Sequence, residues 1–134
     1  MSTIRKTIDI EAGLQALLVA DKWTACAPPL PPTLGSSLPL VAVYRTGGTR
    51  ALFVQDEHAV TFDVYAADDA AAMESADALT AWASALEGRD IGGEPCHLVE
   101  IGALPYNNPD PRHPTLARAS FSARIRTRVS HINN

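Results

Sequence analysis

The chain has 134 residues, of which 46% are hydrophobic and 19% charged, with a formal net charge of −4. That length predicts one domain able to bury a core without metal or disulfide staples. An acidic balance excludes a surface that adheres to nucleic acid as a whole, while leaving room for a local basic patch.

The first turns, from Ser2 or Thr3, are poor helix because Ile4, Thr7, Ile8 and Ile10 are β-branched. From Asp9 to Ala20 the pattern firms: Ile10, Leu14, Leu17 and Leu18 form one apolar stripe, weakened by Gly13, which costs a helix about 1 kcal/mol relative to alanine. Pro28, Pro29, Pro31 and Pro32 then enforce an extended path, so residues 27–39 read as a connector rather than a ligand motif for a proline-binding module. Leu40 to Tyr44 is apolar on both faces and predicts a central strand, broken at Gly47-Gly48. The glycine pair lacks the lysine and following helix of a phosphate-binding loop, so it predicts a turn. Ala51 to Val54 is a short apolar segment, and Gln55-Asp56-Glu57 an acidic turn.

The clearest stretch runs from His58 to Gly88. Val60, Phe62 and Val64 alternate with Thr61, Asp63 and Tyr65, the period of a half-buried strand. After Ala66-Ala67 the period changes. Asp68 or Asp69 is placed to cap a helix, and Ala72, Ala76, Leu79, Ala83 and Leu86 share one face of it. Gly88 marks its end. An alanine-rich face lets such a helix lie close on a sheet.

Beyond it, Cys96 to Leu104 predicts a strand with His97, Val99 and Ile101 on one face and Cys96, Leu98 and Glu100 on the other. The segment from Pro105 to Pro114 carries four prolines and predicts an irregular docking loop, with Tyr106, Asn107, Asn108, Asp110 and Arg112 as its contact residues. It is expected to be mobile in an isolated subunit and ordered in an assembly. Ala119 to Val129 is the cleanest strand: Phe121, Ala123, Ile125 and Val129 mark an apolar face, and Arg124, Arg126 and Arg128 stand together on the other. That row is either a solvated strand face or a contact surface, and for the latter the overall acidity favours acids of a neighbouring subunit, such as Asp68 and Asp69, over DNA in a pore. The fold expectation is α+β in one domain: a mixed, mostly antiparallel sheet of four to five strands packed by two helices, the sheet and main helix within 40–129.

Catalytic chemistry needs converging nucleophile, base and electrophile groups. No GxSxG, HExxH, GxGxxG or metal-spaced Cys/His pattern occurs. His58, His97, His113 and His131 are scattered over a turn, a strand, the proline loop and a tail. No catalytic, cofactor-binding or metal-binding residue is therefore expected. Cys26 and Cys96 read as reduced thiols of a cytoplasmic protein. No apolar run reaches the ~20 residues of a membrane span, and a signal-peptide core is lacking.

Element order and local pattern resemble the tail terminator (tail completion) proteins of long-tailed bacteriophages. The resemblance is carried by LPLVAVYRTGG, by AVTFDVYAADDAAAMESADALTAWASALEG, and by ASFSARIRTRV after a PDP loop. It covers nearly the whole chain, as pattern rather than as an invariant motif. It implies a non-enzymatic virion protein assembled in the host cytoplasm into a ring, usually hexameric. Such a ring caps the tail tube protein, stops its polymerisation and offers head–tail connector proteins a joining surface, with DNA only passing through its lumen. A head–tail connector or neck protein is the alternative, and a small ligand-binding or enzymatic α+β domain a further one.

Overall fold

A computed structural model describes residues 3–26, 30, 38–52 and 54–133. Helix α1, Ile10–Ala20, is capped by Asp9, whose carboxylate accepts from the Ala12 amide at 3.1 Å. It buries Ile10, Leu14 and Leu18. Gly13 is buried with them because the turn at Ile91-Gly92 packs against it. A Cβ there would stand 2.8 Å from both the Gly92 nitrogen and Ile91 Cγ2, so the helix gives up propensity for close contact. The β-branched residues before Asp9 form no helix; Thr3–Lys6 is strand β1.

Six strands form the main sheet: β2 (Thr24–Cys26), β3 (Leu40–Leu52), β4 (Gln55–Ala66), β5 (Asp90–Ile91), β6 (Glu94–Asn107) and β7 (Ala117–Arg128). Their order is β2-β3-β4-β7-β6-β5, antiparallel except for the β2–β3 pair, which is parallel. Strand β8, Ser130–Asn133, pairs with β1 in a separate two-stranded ribbon. The fold is thus α+β in one domain with two helices and a mixed sheet, but with six strands where four to five were expected.

Helix α2, Asp69–Ser84, begins after the cap at Asp68 and buries Ala72, Ala76, Leu79 and Ala83, the face predicted from spacing. Both helices lie on one side of the sheet, against Val41, Val43, Val60, Phe62, Val64, Ala119, Phe121 and Ile125. Phe62 and Phe121 are direct cross-strand partners whose rings stack at 4.7 Å. Asp21 ties the helix ends together, accepting from Trp82 Nε1 at 2.7 Å and from Arg89 Nη1 at 2.8 Å.

Three local expectations are corrected. Strand β3 does not break at Gly47-Gly48. It runs on through a bulge, with both glycines at positive φ. A Cβ at Gly48 would collide with the Glu57 carbonyl oxygen, so glycine is needed for interstrand approach rather than for a turn. Strand β6 reaches Asn107, two residues beyond Pro105, because Pro105 falls in a register shift between Ala103 and Tyr106, and β5 pairs only with Glu94 and Pro95 on the other side of β6. A register shift between Cys96 and Leu98 puts Cys96 on the helix side with Val99 and Ile101, against strict alternation. In the connector, residues 27–29 and 31–37, including Pro28, Pro29, Pro31 and Pro32, lie outside the described residues.

Candidate assembly surface

The sheet face away from the helices is built by alternate residues of β4 and β7. Across it, Glu57 opposes Arg126, Ala59 opposes Arg124, Thr61 opposes Ser122, Asp63 opposes Ser120 and Tyr65 opposes Arg118. One half of this face is exposed. The other half lies under the loop that joins β6 to β7.

The exposed half holds the predicted arginine row. Arg124 sits between Glu57 at 3.7 Å and Glu100 at 3.4 Å, and Arg126 reaches the other Glu57 oxygen at 3.2 Å. Two of the three guanidinium groups therefore have carboxylate partners in their own chain. Glu57 lies not in an acidic turn but in β4, which starts at Gln55 and brings Glu57 into register with Arg126. These pairs are exposed on one side, so each contributes about 0.2–1 kcal/mol. Arg128 is exposed, stands opposite Gln55, and makes no ion pair among the described residues.

Asp68 and Asp69 are elsewhere. Asp68 spends a carboxylate oxygen on the Ala71 amide at 2.8 Å, and Asp69 is exposed in the first turn of α2. They follow the end of β4 that pairs with the start of β7, whereas Arg128 pairs with the beginning of β4. The length of β4 separates the two sites by about 36 Å at the usual rise per residue. Within one copy they do not meet.

The covered half is a connected polar cluster. Tyr65 donates to Asp110 Oδ2 at 2.7 Å, Ser120 donates to Asp63 Oδ1 at 2.6 Å, and Asn108 Nδ2 donates to Ser120 Oγ at 3.0 Å. Arg118 donates through Nε to the Asn108 carbonyl at 2.6 Å and through Nη1 to the Tyr65 hydroxyl at 3.3 Å. The same nitrogen lies 3.6 Å from Asp110 and 3.8 Å from Asp63. The Arg112 amide donates to Asp110 Oδ1 at 3.0 Å, and the His113 ring meets Tyr65 edge-on. Asn108 and Asp110 thus anchor the loop expected to be mobile, while Arg112 and Tyr106 remain exposed. Tyr106 stands near the similarly exposed Leu104, 49% and 73% accessible.

Electrostatics fix the protonation of this cluster. Burial, then the Asp110 hydrogen bond, pushes the Tyr65 phenol up to about 12, so it remains a neutral donor. Burial alone would raise Asp110, but the Tyr65 hydroxyl, the Arg112 amide and the Arg118 charge outweigh it and hold the carboxyl below its ordinary value. A cleft of about 450 Å³ opens here, lined by Tyr44, Asp63, Tyr65, Asp110, His113 and Arg118 among others. Most of its polar groups are already bonded to one another.

At the far end of the sheet, Arg50 Nε contacts Asp56 at 2.7 Å and Thr7 donates to the same carboxylate at 2.8 Å. His58 is buried with Nε2 3.0 Å from Thr127 Oγ1, and desolvation lowers its pKa. Among the described residues no group of three or more His, Cys, Asp or Glu is placed to hold a metal ion. Among the same residues no helix is long and apolar enough to cross a membrane. Compared with known proteins, the chain matches no family model and no curated sequence.

Proposed function

We propose that the chain is a non-enzymatic virion assembly protein of the tail terminator kind. On this reading copies join head to tail into a ring, usually a hexamer, that caps the tail tube, ends its polymerisation and supplies the surface joined by the head. Its place would be the virion tail, after assembly in the host cytoplasm, with DNA only passing through the lumen. The observation that carries the reading is the separation of opposite charges. Arg128 and the acids Asp68 and Asp69 lie at opposite ends of one long strand pair, too far apart to meet within a copy. A surface of that kind suits heterologous contacts that close by rotation. The exposed Leu104 and Tyr106, on the part of β6 that β5 does not pair, add an apolar contact patch beside the loop.

The test mixes the purified protein with polymerising tail tube protein and measures tube length by electron microscopy. Shorter tubes bearing a terminal ring are expected; an unchanged length distribution with bare ends would sink the reading. Binding to isolated head–tail connector without any effect on tubes would select the neck alternative. The cleft at Tyr65 favours a second reading, a small ligand-binding domain. A screen of small polar molecules by thermal shift tests it, and stabilisation that Tyr44→Ala abolishes would select it.

A further inference from the structure

The ribbon formed by β1 and β8 differs from every other strand pair in the molecule. Among the described residues it is a sheet of two strands only, with Thr3 against Asn133, Ile4 against Ile132, Arg5 against His131 and Lys6 against Ser130, and it pairs with no strand of the main sheet. An isolated two-stranded ribbon is marginal in water and gains stability from a third strand or from packing. On β1, Arg5 and Lys6 are exposed and Ile4 is 46% accessible. Arg128, next to the start of β8, is exposed as well. None of these three cations has an ion-pair partner among the described residues.

The outer face of α2 is its electrostatic complement. Asp69, Glu74 and Asp77 are exposed there, the helix contains no Lys or Arg, and none of the three acids has an ion-pair partner among the described residues. The other exposed side chains nearby on the helix include the small Ala70, Ala78 and Ala81, so an extended strand can approach the helix closely. The ribbon follows Val129, whose amide donates to the Val54 carbonyl at the β3–β4 end of the sheet. The start of α2 follows the opposite end of β4. A copy's own ribbon therefore does not lie on the start of its own α2.

We propose that the β1–β8 ribbon is a docking arm that lies on the acidic outer face of α2 of a second copy of this chain, with Arg128 and the one of Arg5 and Lys6 on the ribbon face that meets the helix set against Glu74 and Asp77. Because arm and receiving face are different surfaces, the contact is heterologous and passes from copy to copy. It moves the intersubunit role from the arginine row, where Arg124 and Arg126 already face Glu57 and Glu100, to cations that have no such partner. The inference rests on the ring reading for its second copy and not on the tail tube.

Two charge-reversed proteins test it. One carries Arg5→Glu with Lys6→Glu; the other carries Glu74→Lys with Asp77→Lys. All four positions are exposed, so circular dichroism and thermal unfolding should match wild type. In sedimentation at low salt, each variant alone should self-associate about tenfold or more weakly than wild type. An equimolar mixture should recover most of the loss, since the acidic arm of one fits the basic helix of the other. The proposal is overturned if wild type stays monomeric throughout. It also fails if either variant associates like wild type, or if the mixture of two folded variants shows no recovery. Tube capping is read separately: recovered self-association in a mixture that leaves tubes uncapped sinks the tail reading and leaves this contact standing.

Discussion

The two faces of the β4–β7 pair show what one residue of register decides. Phe62 and Phe121 face the helices, have no exposed surface and stack on each other. Their immediate neighbours Asp63 and Ser120 face the other way and share a 2.6 Å hydrogen bond. The first face is held by apolar burial, which tolerates shifts of a few tenths of an ångström and depends on volume. The second is held by directed bonds that lose their value when one member is removed. Only the second has groups left for a partner.

The largest effect should come from violating the helix-covered face. Leu79 is fully buried beneath α2, so Leu79→Asp places an unpaired carboxylate against the sheet. Insoluble or unfolded protein is expected, read from the loss of the circular dichroism signal. A melting temperature within a few degrees of wild type would break the assignment of that face. Next comes Arg118→Ala, which removes the cation facing Asp63 and Asp110. With the side chain 17% exposed, the cost should be about 2–3 kcal/mol, somewhat below that of a fully buried pair. Urea unfolding measures it, and proteolysis of the loop at residues 108–116 should rise in parallel.

Two pH effects follow in size. Asp110 is held below its ordinary pKa of 3.8 in the folded chain, so its contribution is complete above that value and is lost as pH falls through the lower folded value. Asp110→Asn should flatten that part of the acid unfolding curve and lower stability at neutral pH. His58 is also depressed, chiefly by desolvation, with Asp56 opposing and Arg45 assisting. Its neutral form fits the fold, so stability should decline as pH falls below about 6.5, where the unfolded chain takes up the proton first. His58→Gln should remove that slope in urea titrations. Smallest of all, Arg124→Ser should cost less than about 1 kcal/mol, since the side chain is 59% exposed and its pairs are screened. A larger loss in urea unfolding would mean that the open face contributes to stability as well as to contact.

What was legible in the sequence followed from strong periodicity. The buried face of α2 from Ala72 to Ala83 and the apolar side of β7 emerge from spacing alone, while the cap is narrowed to Asp68 or Asp69, of which Asp68 serves. Bulges were not legible, because they break the alternation used to find strands. Thus Gly47-Gly48 reads as a turn and Cys96 as lying on the face opposite Val99 and Ile101. Short elements held by pairing alone were missed as well: three-residue β2 has no periodicity, and its parallel partner lies across the connector. The residues that define the open face needed register. Nothing along the chain says that Glu57 meets Arg126, or that Asp110 folds back on Tyr65.

The sheet order also has a kinetic consequence. β3 and β4 are neighbours along the chain, as are β6 and β7, so each pair can zip as a meander. The seam between β4 and β7 joins residues as far apart as Glu57 and Arg126, 69 positions along the chain, with α2, β5 and β6 threaded between them. Closing that distance must precede the contacts that reward it. The nucleus should therefore be two preformed meanders meeting at the Phe62–Phe121 stack. Substitutions at this seam should slow refolding, whereas those in the terminal ribbon should change only the unfolding rate.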